Sequence, residues 1–135
     1  PRGYGSVKTR VLRSSEEVDQ FLQGEKVFDE FQQANLDLEE FIDDSEMYHV
    51  DGIIRHKEVV VIWPSRCIHS CLRMVEGLPT GSYLLSRENP MVAILNTFAI
   101  EVLKAMPTPN DTGFHLEIFY RKEKPIFCEI ASRIG

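Results

Sequence analysis

GFHLEIFYRKEKPIFCEIASRIG, residues 113–135, is the stretch whose reading decides the fold. Apolar and polar residues alternate through 113–120 and again through 125–133, which is the period of a half-buried strand. The charged stretch 121–125 between them is short enough to close a hairpin. A turn centred on Glu123 pairs residues whose numbers sum to 246, setting Glu117 opposite Glu129 and His115 opposite Ala131, with Arg133 one step further. Phe114, Leu116, Ile118, Tyr120, Ile126, Cys128 and Ile130 then share an apolar face. His115, Glu117, Phe119, Phe127, Glu129 and Arg133 take the other, so one side of the hairpin is core and the other is a site.

Two carboxylates opposed across a strand pair stand about 5 Å apart at Cβ and repel by roughly 3 kcal/mol at an effective dielectric near 20. A hard divalent cation relieves this directly, since Mg²⁺ typically takes one or two carboxylates together with substrate phosphates. The plainer alternative is a solvated hairpin face with Arg133 as counter-ion. We prefer the metal, with Glu117 and Glu129 as its ligands.

Working back from the hairpin, Asn89 and Pro90 open a helix that ends near Pro107, with Ile94, Leu95, Phe98, Val102 and Leu103 as its buried stripe beneath the hairpin. Residues 64–90 hold Gly77, Pro79, Gly81 and Pro90 with little periodicity and are expected to be mostly loop. Before them, 46–55 and 58–63 read as two strands joined through His56 and Lys57. An acidic turn at 43–45, a strand at 36–42 and a short helix at 26–34 precede these. Ser14 and Glu17 have capping-box spacing and start a helix that runs to about Gly24. A short strand at 7–12 and the glycine-containing loop PRGYGS, 1–6, complete the chain. The fold class is α+β, with antiparallel strands and helices packed on one face.

With 135 residues, 43% hydrophobic and 27% charged, the chain is long enough for one real core. No apolar run spans a bilayer. A formal charge of −6 argues against sequence-independent nucleic-acid binding. Three cysteines are too few for a disulfide scaffold and point to reduced thiols in the cytoplasm. Cys67, His69 and Cys71 raise zinc, but no fourth ligand is evident and the reading is set aside. His49 is read as a structural histidine, and His115 as a positioner of substrate able to give or take a proton. Arg66, His69 and Arg73 are loop residues, either solvated or facing an anionic substrate.

EIASRIG (129–135) together with FHLEIF (114–119) resembles the end of an ATP-grasp domain, in which two acidic residues about a dozen positions apart hold the ions bridging ATP phosphates. The resemblance implies that role for Glu117 and Glu129, and assigns Arg133 to the acyl phosphate or its transferring phosphoryl group. Ala131 stands where many members carry an asparagine ligand, a departure that makes the chain similar to members joining amino acids into dipeptides and to some purine-pathway members. LEEFIDDSEMYHVDG (38–52) resembles the adenine hinge and the strand after it. By that likeness Glu39, Glu40, Phe41 and Ile42 offer backbone groups to adenine, and Glu46 binds ribose. PRGYGS resembles the phosphate-covering loop, with Gly3, Gly5 and Ser6 approaching the phosphates, and the family's ATP-binding lysine is expected just before Pro1.

The resemblance therefore implies a partial ATP-grasp fold, cut at both ends. A lid-like part covers 1–45 and a core part 46–135. The expected activity is an ATP-dependent carboxylate–amine ligase with ATP, Mg²⁺ (or Mn²⁺ in its place) and small carboxylate and amine substrates. No nucleic-acid or membrane partner is expected, and a homodimer is left open. The alternatives are a biotin- or purine-type carboxylase that activates bicarbonate, and a nucleotide-binding fragment without turnover.

Overall fold

The computed structural model describes residues 9–23 and 38–135. The expected helix at 26–34 and the loop residues Gly3, Gly5 and Ser6 lie outside them. The described elements, in chain order, are α1 (Ser15–Gln23), β1 (Glu46–Arg55), β2 (Glu58–Cys67), α2 (Cys71–Val75), β3 (Ser82–Leu84), α3 (Met91–Ala105), β4 (Thr112–Arg121) and β5 (Lys124–Ala131). The strands form one antiparallel sheet in the order β3-β2-β1-β4-β5.

Helix α1 begins where its capping box predicts: Ser14 Oγ accepts from the Glu17 N–H at 3.2 Å. The Glu17 carboxylate reaches one residue further back than expected, to the Arg13 N–H at 2.7 Å. Two sequence expectations are corrected here. No strand forms within 9–13 or within 38–42. Both segments lie outside the sheet, whose two edges are β3 and β5.

Both long hairpins close with two-residue turns. His56 (φ 52°) and Lys57 (φ 65°) join β1 to β2, and Lys122 (φ 50°) and Glu123 (φ 61°) join β4 to β5. All four residues are left-handed, which is the backbone that matches strand twist in a tight hairpin. The second turn is shorter than predicted. It starts the β4–β5 register at a sum of 245, from Arg121–Lys124 to Ile118–Phe127, and a bulge at Cys128 restores 246 at Glu117–Glu129, Leu116–Ile130 and His115–Ala131. The predicted carboxylate pairing is therefore correct, although the turn that leads to it differs.

The region 64–90 is more ordered than its glycines and prolines led us to expect. Strand β2 runs through Pro64 to Cys67, and α2 and β3 follow. Pro64 is tolerated because the N–H and C=O of one residue point to the same side of a strand. Its carbonyl accepts from the Leu85 N–H, so its missing donor falls on that side and leaves the β1 ladder intact.

Helix α3 packs on one face of the sheet, against β1, β2 and β5. Its buried residues are Leu95, Ala99 and Leu103, with Val92, Phe98 and Val102 partly buried beside them. Ile94, predicted inward, is 39% exposed, so the helix is rotated slightly from the expected stripe. The core it covers is built from Tyr48, Val50, Ile54, Phe114, Leu116 and Ile118. Gly52 faces Phe114 across β1–β4, where a Cβ would stand 2.5 Å from the Val61 carbonyl oxygen. A side chain there would push β1 off its neighbours.

Candidate functional site

The face of the sheet away from α3 carries two adjacent cross-strand rows. One runs Ser65, His49, Glu117, Glu129 across β2, β1, β4 and β5, and the other runs Trp63, Asp51, His115, Ala131. Strand alternation forces this arrangement: the residues between them on β1 and β4, Val50 and Leu116, are fully buried on the other side, as is Ile118 just beyond Glu117. Glu117 and Glu129 are thus opposed on one face, as the sequence predicts.

The Cys128 bulge changes the expected membership of that face. Phe127 pairs with Ile118 and so belongs to the core side, whereas Ile126 pairs with Phe119 on the carboxylate side. Cys128, predicted inward, sits among the site groups. Burial pushes its thiol up to about 12, with the charges of Glu117 and Glu129 adding to the effect. Cys71, from α2, has its Sγ 3.9 Å from Glu117 Oε2. Burial and then Glu117 raise that thiol to about 11, and burial raises Cys67 to about 11. All three are therefore protonated and weakly nucleophilic at neutral pH.

Asp51 is the hub of the second row. Its Oδ2 lies 2.7 Å from His49 Nδ1, and its Oδ1 lies 2.8 Å from His115 Nδ1 and accepts from the Gly135 N–H at 3.2 Å. Burial would raise the Asp51 carboxyl, but the bonds from His115, Gly135 and His49 outweigh it and hold the group below the usual carboxylate range. His115 links the two rows, with its Nε2 3.6 Å from Glu117 Oε1. The Glu117 carboxylate 3.6 Å away, helped by the hydrogen bond to Asp51, raises the imidazole against the opposing effect of burial.

The remaining predicted residues are placed as follows. Arg133 is exposed and its Nη1 donates to the Ile134 carbonyl at 3.2 Å. Among the described residues it makes no ion pair with Glu129, so the counter-ion alternative has no support. Glu46 is bonded by Tyr48 Oη and by Arg66 Nη2, the latter at 2.6 Å, on the side of the sheet opposite Glu117. Glu39, Glu40, Phe41 and Ile42 lie in an irregular segment. Glu40 is 3.6 Å from Arg121, Phe41 lies under the Arg13 guanidinium, and Glu39 is close enough to act on Cys128. That segment therefore borders the β4–β5 hairpin.

Sequence reasoning missed Asp51, and took His49 as structural. The signal was present in the His-x-Asp spacing on β1, which puts both side chains on the face of Glu117. Cys71 stands out in the sequence only with Cys67 and His69 as a zinc candidate, and its place beside Glu117 does not show there because α2 reads as loop. No family model matches the chain, and no curated protein matches it.

Proposed function

We propose that the chain carries the metal and phosphate half of an ATP-dependent carboxylate–amine ligase. One observation carries the reading: Glu117 and Glu129 are opposed on a polar face, and among the described residues neither has a Lys or Arg ion-pair partner. The donor set fits a hard cation, since both groups are carboxylates and Mg²⁺ prefers oxygen ligands. Bound there with ATP, Mg²⁺ supplies neutralisation of the phosphate oxygens.

The protein's own contribution is position and charge. The thiol of Cys71 and the imidazole of His115 flank the two oxygens of Glu117 and orient it. Arg133 stabilises the negative charge that develops as the γ-phosphoryl group moves to a substrate carboxylate. ADP departs, the amine attacks the acyl carbon and loses a proton, and phosphate leaves as the amide forms. No side-chain nucleophile takes part. The adenine role of 39–42 rests on the sequence resemblance, and the segment 38–45 bordering the hairpin is compatible with it. Glu46, held by Tyr48 and Arg66 on the other side of the sheet from the carboxylate pair, does not support the ribose role that the same resemblance implies. The free thiols of Cys67, Cys71 and Cys128 favour a reducing compartment, the cytoplasm. Among the described residues no helix is long and apolar enough to cross a membrane.

The test is to incubate the full-length protein with ATP, Mg²⁺ and pairs of amino acids and to identify the products. ADP and phosphate released only when both substrates are present are expected. Formation of AMP, or no nucleotide turnover with any pair, overturns the reading.

A further inference from the structure

We propose that His49, Asp51 and His115 form a second metal site, separate from the carboxylate pair and suited to a borderline divalent ion of the Zn²⁺ class. One nitrogen from each imidazole and one carboxylate oxygen lie within 4.8 Å of one another. Two imidazoles and a carboxylate are a donor set that Zn²⁺ takes readily, with bonds of about 2.1 Å. Tetrahedral bonds of that length put neighbouring donors about 3.4 Å apart. The observed contacts run to different oxygens of Asp51, from His49 Nδ1 to Oδ2 at 2.7 Å and from His115 Nδ1 to Oδ1 at 2.8 Å, so an ion would take the place of these two hydrogen bonds as the three donors open to that spacing. The open fourth position is left to water or a ligand.

The surroundings favour occupation. The side chains of His115, His49 and Asp51 are 11%, 16% and 31% exposed, so the ligands are held and still reachable. Among the described residues Asp51 has no Lys or Arg partner, and its charge meets only imidazoles and the Gly135 N–H. That N–H supplies the outer bond that usually orients a ligating carboxylate. A side chain at Gly135 would collide with the His115 ring, so the close approach of this segment depends on glycine.

Ligand softness keeps the two sites distinct. Imidazole nitrogens suit Zn²⁺ and related ions, whereas the oxygen-only pair Glu117 and Glu129 suits Mg²⁺. The inference does not depend on the ligase reading, because it concerns ion binding without nucleotide.

Calorimetric titration of the chelator-stripped full-length protein with Zn²⁺ alone tests it. One ion per chain is expected, with affinity falling at least about tenfold in Asp51→Asn and in His49→Gln. Glu129→Gln and Cys71→Ser are expected to bind Zn²⁺ as the wild type does. Circular dichroism melts without metal establish that each variant folds. Should Asp51→Asn fail to fold, the decision passes to His49→Gln. Absence of Zn²⁺ binding by the wild type would show that Asp51 only orients two imidazoles, and would overturn the proposal. So would unchanged affinity in the folded ligand variants, or loss of binding in Cys71→Ser, which would assign the ion to thiols.

Discussion

At the scale of single residues, Glu129 is the most informative position. Glu117 is 19% exposed in its side chain and Glu129 is exposed. Solvent therefore screens their repulsion towards the lower end of a range of about 1 to 3 kcal/mol. Glu129→Gln keeps size and reach while removing the charge proposed to hold Mg²⁺, so on that reading turnover by the full-length protein is expected to fall below detection. Because Arg133 is not paired with Glu129, the metal-free melting temperature is expected to stay level or rise slightly. A clear drop in that temperature, or retained turnover, contradicts the assignment. His115 and Asp51 set the pH dependence. His115 is raised by Glu117 and Asp51, so its contribution is complete below its unfolded value of about 6.5 and is lost as pH climbs through the higher folded value. Asp51 is lowered, so its contribution is complete above about 3.9 and is lost as pH falls through the lower folded value. Melts in chelator are expected to be highest between about pH 4 and 6.5. His115→Gln should flatten the alkaline side and also weaken the acid side, since His115 is one of the groups that lower Asp51, and an unchanged alkaline slope in that variant counts against the pairing.

At the scale of elements, the two hairpins carry the strain and set the register. Non-glycine residues in the left-handed region cost roughly 1 kcal/mol each, and both central residues of the second turn lie there. Glu123→Gly, at φ 61°, is expected to stabilise the protein by about 0.5 to 1 kcal/mol, a rise of about 2 to 3 °C for a chain of this length. A lowered melting temperature would mean that the turn is not of this type. The same turn shows where the sequence is legible. Alternation over ten residues places β1 and β4 to within a residue, because burial of Val50, Leu116 and Ile118 leaves a single choice of face. Bulges are not written in alternation: Cys128 reads as inward, and only the two-residue turn beside it makes the extra residue necessary. Short elements such as α2 and β3 are held by tertiary contacts, with Ile68 and Leu85 bonded to Gly81 and Pro64, and five or three residues are too few to show a period. The site inherits this pattern. Glu117, Glu129 and His115 follow from alternation on one hairpin, while Cys71 and Asp51 require knowing which strands and turns lie beside it.

For the whole molecule, the sheet separates stability from chemistry. Helix α3 covers one face, where Leu95, Leu116 and Phe114 are at most 1% exposed, and the other face holds the carboxylates and imidazoles. Leu95→Ala removes a fully buried side chain that touches the core and nothing on the polar face. A cost of about 3 kcal/mol is expected from lost transfer energy and the remaining cavity, which lowers the melting temperature by roughly 10 °C in a chain of this size. Turnover at a temperature where the variant is folded should be close to that of the wild type. Glu129→Gln is expected to do the reverse, removing turnover and sparing stability. Since the two side chains lie on opposite sides of the backbone layer and share no partner, their effects on stability should add to within about 0.5 kcal/mol in the double variant. Denaturant unfolding of the wild type, both single variants and the double variant in chelator measures the coupling directly. A coupling well beyond that limit would show that the carboxylate pair is mechanically tied to the core, in which case loss of turnover in Glu129→Gln could no longer be read as loss of a metal ligand alone.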